Sequence, residues 1–236
     1  MLYLIGGMPR SATVWAFNVA DLILRSRGIH CQKINANSPD ELDAAIAGYE
    51  PDKNLLIHFH DLSENLRKAA REPGVRITYS YRDPRDIVCS QIRLHEVSFE
   101  QAVGMTSAAC NSFLEMLKLP GRLLIPYYSA TRHPEAVVFS MAFHLGHMIG
   151  QSEVETICRE TSMEKFRGIM TRVDKGGEGT GSADMQHRQI HYDPETLIND
   201  RHIQSGRSGR WKDELTDEQQ LTLEKIFGVF VKKIIL

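Results

Sequence analysis

The first apolar run, Leu2 to Ile5, stops at Gly6-Gly7, and from Ala12 to Leu24 apolar residues (Trp15, Val19, Leu22, Ile23) return at helical spacing until Gly28. This pattern predicts a strand, a glycine-containing loop and a helix. It continues with a strand-like stretch His30 to Ile34, a helix after Pro39, a strand Leu55 to Phe59, a helix from Ser63 to about Arg71 and a strand Val75 to Ser80. After Pro84 the chain reads as helix through Ile92 and again from Phe99 to Leu117; a buried strand Leu123 to Ile125 follows Gly121, and another helix follows Pro134. Strands alternating with helices imply an α/β fold, a three-layer arrangement of a parallel sheet with helices on both faces. From about residue 171 to 210 the apolar patterning fades, and Gly176, Gly177, Gly179 and Gly181 cluster among Ser, Asp and His. This reads as a long mobile loop. Thr216 with Gln219 three residues on is a capping-box signature for a closing amphipathic helix carrying Leu221, Leu223, Ile226, Phe227 and Val231.

At 236 residues, with 42% hydrophobic and 25% charged positions, the chain is long enough for a single domain spanning 1–236. A chain of this length buries roughly 70–75% of its unfolded surface, so it needs neither disulfides nor a structural metal to hold a core. The net charge of -2 argues against a nucleic-acid or anionic-membrane binder, which carries a strongly basic face. No apolar run approaches the roughly 18 residues of a membrane span, and the apolar start is too short for a signal peptide, so the chain reads as cytoplasmic. The four cysteines, Cys31, Cys89, Cys110 and Cys158, are scattered and suit reduced thiols.

Four strings carry candidate chemistry. The first, Pro9-Arg10-Ser11-Ala12-Thr13-Val14-Trp15, lies between the first strand and helix, where backbone N–H groups and a helix N-terminus converge on a phosphate-sized anion. It lacks the Gly-Lys-[Ser/Thr] of a Mg-nucleotide P-loop, which disfavours a kinase or GTPase; the plain alternative is a glycine turn. The second, Arg82-Asp83-Pro84-Arg85-Asp86 through Ser90, follows a strand, so a guanidinium and a hydroxyl two helical turns on can flank one anion. The third is His58-Phe59-His60 at a strand's C-terminal end, where two histidines share a face of the sheet edge. A metal pair would need a third ligand that no spacing supplies, and both rings could simply fill the edge. Near the C-terminus, Ser205-Gly206-Arg207-Ser208-Gly209-Arg210-Trp211-Lys212 is a glycine-rich basic segment suited to folding over an anion.

In order and spacing these strings resemble the sulfotransferases that use 3′-phosphoadenosine 5′-phosphosulfate (PAPS). The first resembles the phosphosulfate loop P-K-S-G-T-T-W, with Arg10 at the lysine and Ala12 and Val14 at the glycine and second threonine. The second matches the 3′-phosphate motif R-[ND]-P-[KR]-D-x-x-x-S at every fixed position. The family's K-T-H-L places its histidine twenty-two positions before the 3′-phosphate arginine, as His60 precedes Arg82, with His58 at the lysine. Tyr127 and Thr161-Ser162-Met163 echo weaker family segments, and the basic segment echoes R-K-G-x-x-G-x-W-K with Gln204 and Ser205 at the Arg-Lys pair. The resemblance covers nearly the whole chain. It implies a fold similar to P-loop nucleoside triphosphate hydrolases and kinases, and sulfuryl transfer from PAPS to a hydroxyl or amine, leaving adenosine 3′,5′-bisphosphate, without a metal. His60 would be the general base and Arg10 a second catalytic group at the bridging oxygen. Pro9, Arg10, Ser11, Ala12, Thr13, Val14, Trp15, Arg82, Ser90, Tyr127, Thr161, Ser205, Gly206 and Arg207 would bind the donor, with Trp15 stacking on adenine. Arg207, Arg201 or Arg210 would replace the missing basic pair.

A small-molecule kinase of the same fold and a binding module without turnover remain as alternatives. The acceptor, a small molecule or carbohydrate, would meet loops 35–53, 93–110 and 171–200, which carry no readable specificity code. Oligomeric state is not encoded in any motif.

Overall fold

The structure, a computed structural model, describes residues 1–174, 180–183, 189–199 and 206–235. Five strands form one parallel sheet: β1 (Leu2–Gly7), β2 (Gln32–Asn35), β3 (Leu55–Phe59), β4 (Val75–Tyr81) and β5 (Arg122–Pro126), in the order β2-β3-β1-β4-β5. The alternation of strand and helix predicts a parallel sheet, and the register explains its two-sided core. Successive side chains of a strand point to opposite faces. Leu2, Leu4, Leu55, Ile57, Phe59, Ile77 and Tyr79 accordingly enter one buried cluster, and Tyr3, Ile5, Leu56 and Ile125 enter another on the far side.

Helices α1 (Thr13–Ser26), α2 (Pro39–Ala47), α3 (Glu64–Ala69), α4 (Pro84–His95) and α5 (Phe99–Met116) follow the strands, and α6 (Tyr127–Arg132) and α7 (Pro134–His144) follow β5. Their starts are written into the sequence: Ser38, Ser63, Asp83 and Ser98 cap α2 to α5 by accepting N–H groups of the first turn. One face of the sheet is covered by residues of α2, α3, α4 and α5, the other by α1, α7 and α8 (Gln151–Glu160). A further helix α9 (Met163–Asp174) follows α8, and near the C-terminus come α10 (Trp211–Glu214) and α11 (Asp217–Phe230), the latter with the Thr216/Gln219 capping box that its sequence signals. A π-helical turn, Val231–Ile235, extends it.

The stretch read as a long mobile loop from about 171 to 210 carries regular structure among its described residues. Thr171 to Asp174 completes α9, and β6 (Thr180–Ala183) pairs antiparallel with β7 (Gln189–Tyr192). Thr-Gly-Ser-Ala carries no apolar alternation, and a two-stranded hairpin needs none to satisfy its backbone, so the periodicity misses it. Gly176, Gly177, Gly179, His187, Arg201, His202, Gln204 and Ser205 lie outside the described residues.

In this strand order the direction of progression reverses at β1, with β3 on one side and β4 on the other. Ligands of open α/β folds bind at the strands' C-terminal ends beside such a switch point. The Gly6-Gly7 turn, His60 and Arg82 all leave the sheet there.

Candidate active site

β1 ends in Gly7, which pairs in register with Ser80 of β4. A Cβ at Gly7 would lie 2.2 Å from Ser80 Oγ and 2.5 Å from Thr13 Oγ1, so only glycine lets the loop cross this close. The loop is tied down by hydroxyls: Met8 N–H donates to the Ser80 carbonyl at 2.9 Å, Ser11 Oγ donates to the Met8 carbonyl at 2.5 Å, and Ser11 and Thr13 hydroxyls lie 2.8 and 3.1 Å from Ser80 Oγ. Both hydroxyls expected to bind the donor thus face the sheet. The loop pays out through two left-handed residues, Arg10 (φ 66) and Ala12 (φ 70), and α1 begins with no side-chain cap, which leaves its first-turn N–H groups as the loop's anion-facing donors.

Arg10 reaches across to α4, donating from Nε to Ser90 Oγ at 3.0 Å. Arg82, at the exit of β4, donates to the Arg10 carbonyl at 3.2 Å and to the Arg207 carbonyl at 3.1 Å, and its guanidinium lies 4.0 Å from the centre of the Tyr127 ring. The structure therefore brings Arg10, Ser90, Arg82, Tyr127 and the Arg207 carbonyl to one place. Burial first, and then the neighbouring Arg82 charge, pulls the Arg10 guanidinium down to about 10. Two adjacent cations with a buried, unbonded Arg82 Nε are the electrostatic form of an anion site.

Asp86, absent from the candidate residues, organises the cover. Its carboxylate is 3.5 Å from Arg82 Nη2 and accepts the N–H groups of Gly209 at 2.8 Å and Trp211 at 3.4 Å. Arg85 completes the clasp by lying over the Trp211 ring at 4.1 Å. The side chain of Arg207 pairs with Asp213, and Arg210 pairs with Glu214 at 2.5 Å. The sequence places Asp86 at a fixed position of the arginine-serine string but not its role, because Gly209 and Trp211 lie more than 120 positions away.

His60, just beyond β3, places Nδ1 2.8 Å from the Gly7 carbonyl. A carbonyl only accepts, so Nδ1 carries the proton and Nε2 the lone pair. Burial lowers its pKa, opposed by the Gly7 bond and Asp61 and reinforced by Arg10, so the neutral form prevails at pH 7. His58 is buried beside it, with Nδ1 2.8 Å from Asn35 Oδ1 and the two rings perpendicular at 4.9 Å. Among the described residues no group of three or more His, Cys, Asp or Glu gathers to hold a metal.

Pro9 sits in the loop between β1 and α1, and Val14 and Trp15, half-buried on α1, pack against Phe166, Met170 and Ile198. Thr161 is buried at the end of α8 with its hydroxyl donating to the Ile157 carbonyl at 2.8 Å. Neither contact involves the guanidinium cluster. Ser205 lies outside the described residues.

The sulfotransferase domain model matches residues 3–234. Flavonol 3-sulfotransferase of Flaveria bidentis is 25% identical over 223 residues, covering 83% of this chain; the chain spans 64% of that protein's length. Among solved structures, retinol dehydratase in complex with retinol and PAP aligns with a TM-score of 0.65 at 16% identity, over 100% of this chain and 82% of that one. A mouse sulfotransferase complexed with PAP aligns at 0.67 and 16% identity, over 98% and 84%. At such identities these structures establish the fold. The family is established by the match that runs from β1 to the last turn, through the loop, the histidine and the arginine-serine motif: the chain belongs to the sulfotransferase domain family.

Proposed function

We propose that the protein transfers a sulfuryl group from PAPS to a hydroxyl or amine of a small-molecule or carbohydrate acceptor. The observation that carries this reading is the Arg10–Ser90 bond with Arg82 joined to the Arg10 carbonyl, which gathers both phosphate motifs at the switch point beside β1. The buried, unbonded Arg82 Nε beside the Arg10 guanidinium suits a bisphosphate nucleotide. PAP in the named structural neighbours supports the same ligand class.

When bound, the donor supplies an activated sulfuryl group and a phosphate leaving group. Arg10 and the uncapped N-terminus of α1 would stabilise charge on the departing oxygen. His60, held by Gly7, takes the acceptor's proton at Nε2, and its lowered pKa keeps that lone pair available at neutral pH. Trp15 is proposed to pack on the adenine. The transfer resembles phosphoryl transfer, in which positioning and electrostatics do most of the catalysis.

The test is incubation with PAPS and a panel of phenol, alcohol, amine and sugar acceptors, with adenosine 3′,5′-bisphosphate and sulfated product read by mass spectrometry. Product that disappears in His60→Gln while bisphosphate still binds supports the reading. A second reading, binding without turnover, is favoured by the commitment of the Ser11 and Thr13 hydroxyls to Ser80; it predicts bisphosphate binding with no product from any acceptor.

A further inference from the structure

We infer that Asn35 and His58 are positioning residues for His60, held by a one-way chain of side-chain hydrogen bonds that begins at Glu41 on the surface. The inference rests on the sulfotransfer reading, which makes His60 the base. Asn35 closes β2 in register with His58 of β3, and the Ala36 N–H donates to the His58 carbonyl at 2.9 Å, so the backbone sets the two side chains next to each other.

The direction of the chain follows from its end. The Glu41 carboxylate only accepts, taking the Asn37 main-chain N–H at 2.8 Å and Nδ2 at 3.3 Å. That fixes the Asn37 oxygen toward Asn35, whose Nδ2 donates to it at 3.0 Å. The Asn35 oxygen then faces His58 Nδ1 at 2.8 Å, so His58 carries its proton on Nδ1. The amide orientations agree at every link, as they must for the chain to close.

His58 is thereby locked in place where its orientation matters to His60. Its ring is 4% exposed and stands at 86° to the His60 ring with centroids 4.9 Å apart, while Phe17 of α1 meets it edge-on at 6.0 Å. His60 is then gripped from two directions, by the Gly7 carbonyl and by the His58 ring. The groups facing the pair are the Gly7 carbonyl and Arg10 from the β1–α1 loop, Asp61 after β3, Phe17 from α1 and Asn35 from β2, with Glu41 two amides behind. A neutral His58 leaves room for positive charge on His60 when it takes a proton, whereas a cationic His58 at this distance would oppose it.

Imidazole NMR on the full chain reads tautomer and protonation of each ring with no acceptor present, and calorimetry with adenosine 3′,5′-bisphosphate reads the donor site separately. Wild-type His58 and His60 should both be Nδ1–H tautomers at neutral pH. Asn35→Leu should erase the Nδ1–H preference of His58 and move the His60 midpoint by about 0.5 pH unit or more, with bisphosphate affinity changed less than about twofold. Asn35→Asp should make His58 cationic at neutral pH and move the His60 midpoint downward. Asn37→Leu, an exposed change one link earlier, should act as a weaker Asn35→Leu and guards against misfolding of the first. A His60 midpoint and His58 tautomer unchanged in all three would overturn the inference. Failure of the sulfotransfer reading looks different: wild type would bind no bisphosphate, or would bind it and form no sulfated product from any acceptor.

Discussion

Ala12 holds φ 70 and ψ 29, a left-handed conformation that costs a non-glycine residue on the order of 1 kcal/mol. Ala12→Gly should therefore raise the melting temperature by about 2–4 °C, measured by scanning calorimetry. At the same scale, His60 links pH to both activity and stability. Its folded pKa lies below the ordinary 6.5, so the unfolded chain binds the proton first as pH falls. Its stabilising contribution is complete above the unfolded value and shrinks as pH drops below it toward the folded one. His144 and His147 are lowered by burial in the same direction and share that window. Denaturant titrations should show stability declining below about pH 6.5, with a shallower decline in His60→Gln, and the acid limb of kcat/KM should have its midpoint below 6.5. Arg10, His60 and Arg82, at strand exits, and Ser90, two helical turns into α4, are legible in the sequence because each stands inside a fixed string. Ser80 and Asn35 are not, and Asp86, although a fixed position of the second string, carries no readable role there, because the meaning of each lies in partners on other elements: Ser80 with Ser11 and Thr13, Asp86 with Gly209 and Trp211, Asn35 with His58.

Between elements, Asp86 on α4 is the joint that holds residues 206–211 across the exit of β4. Asp86→Ala strips the N–H groups of Gly209 and Trp211 of their acceptor and leaves Arg82 buried without its carboxylate. Removing one partner of a buried pair costs on the order of 3 kcal/mol. Hydrogen exchange should show the Gly209 and Trp211 amides losing protection ahead of the sheet, and bisphosphate affinity should fall by about tenfold or more. Unchanged exchange at both amides would show that the segment is held by other contacts. The strands, α1 to α5 and the capping box of α11 follow from hydrophobic period and capping residues. The β6–β7 hairpin does not, since Thr180–Ala183 is small and polar and its pairing is a backbone matter. Helix α6 also escapes the periodicity, being six residues that begin directly at the end of β5.

For the molecule as a whole, the order β2-β3-β1-β4-β5 places the loop after β1 between the exit of β3, with His60, and the exit of β4, with Arg82. The alternation of Leu2, Leu4 against Tyr3, Ile5 builds a core on each face and fixes that edge rigidly, so the site's geometry is a consequence of the sheet. Because the donor would be recognised through its phosphates, the central claim is best tested on binding alone. Calorimetric titration with adenosine 3′,5′-bisphosphate, beside adenosine 5′-phosphate and Mg-ATP, should give binding of the bisphosphate at least about 100-fold tighter than of the monophosphate, with the difference abolished in Arg82→Ala. Binding of Mg-ATP without bisphosphate binding would contradict the account and point to a kinase of the same fold.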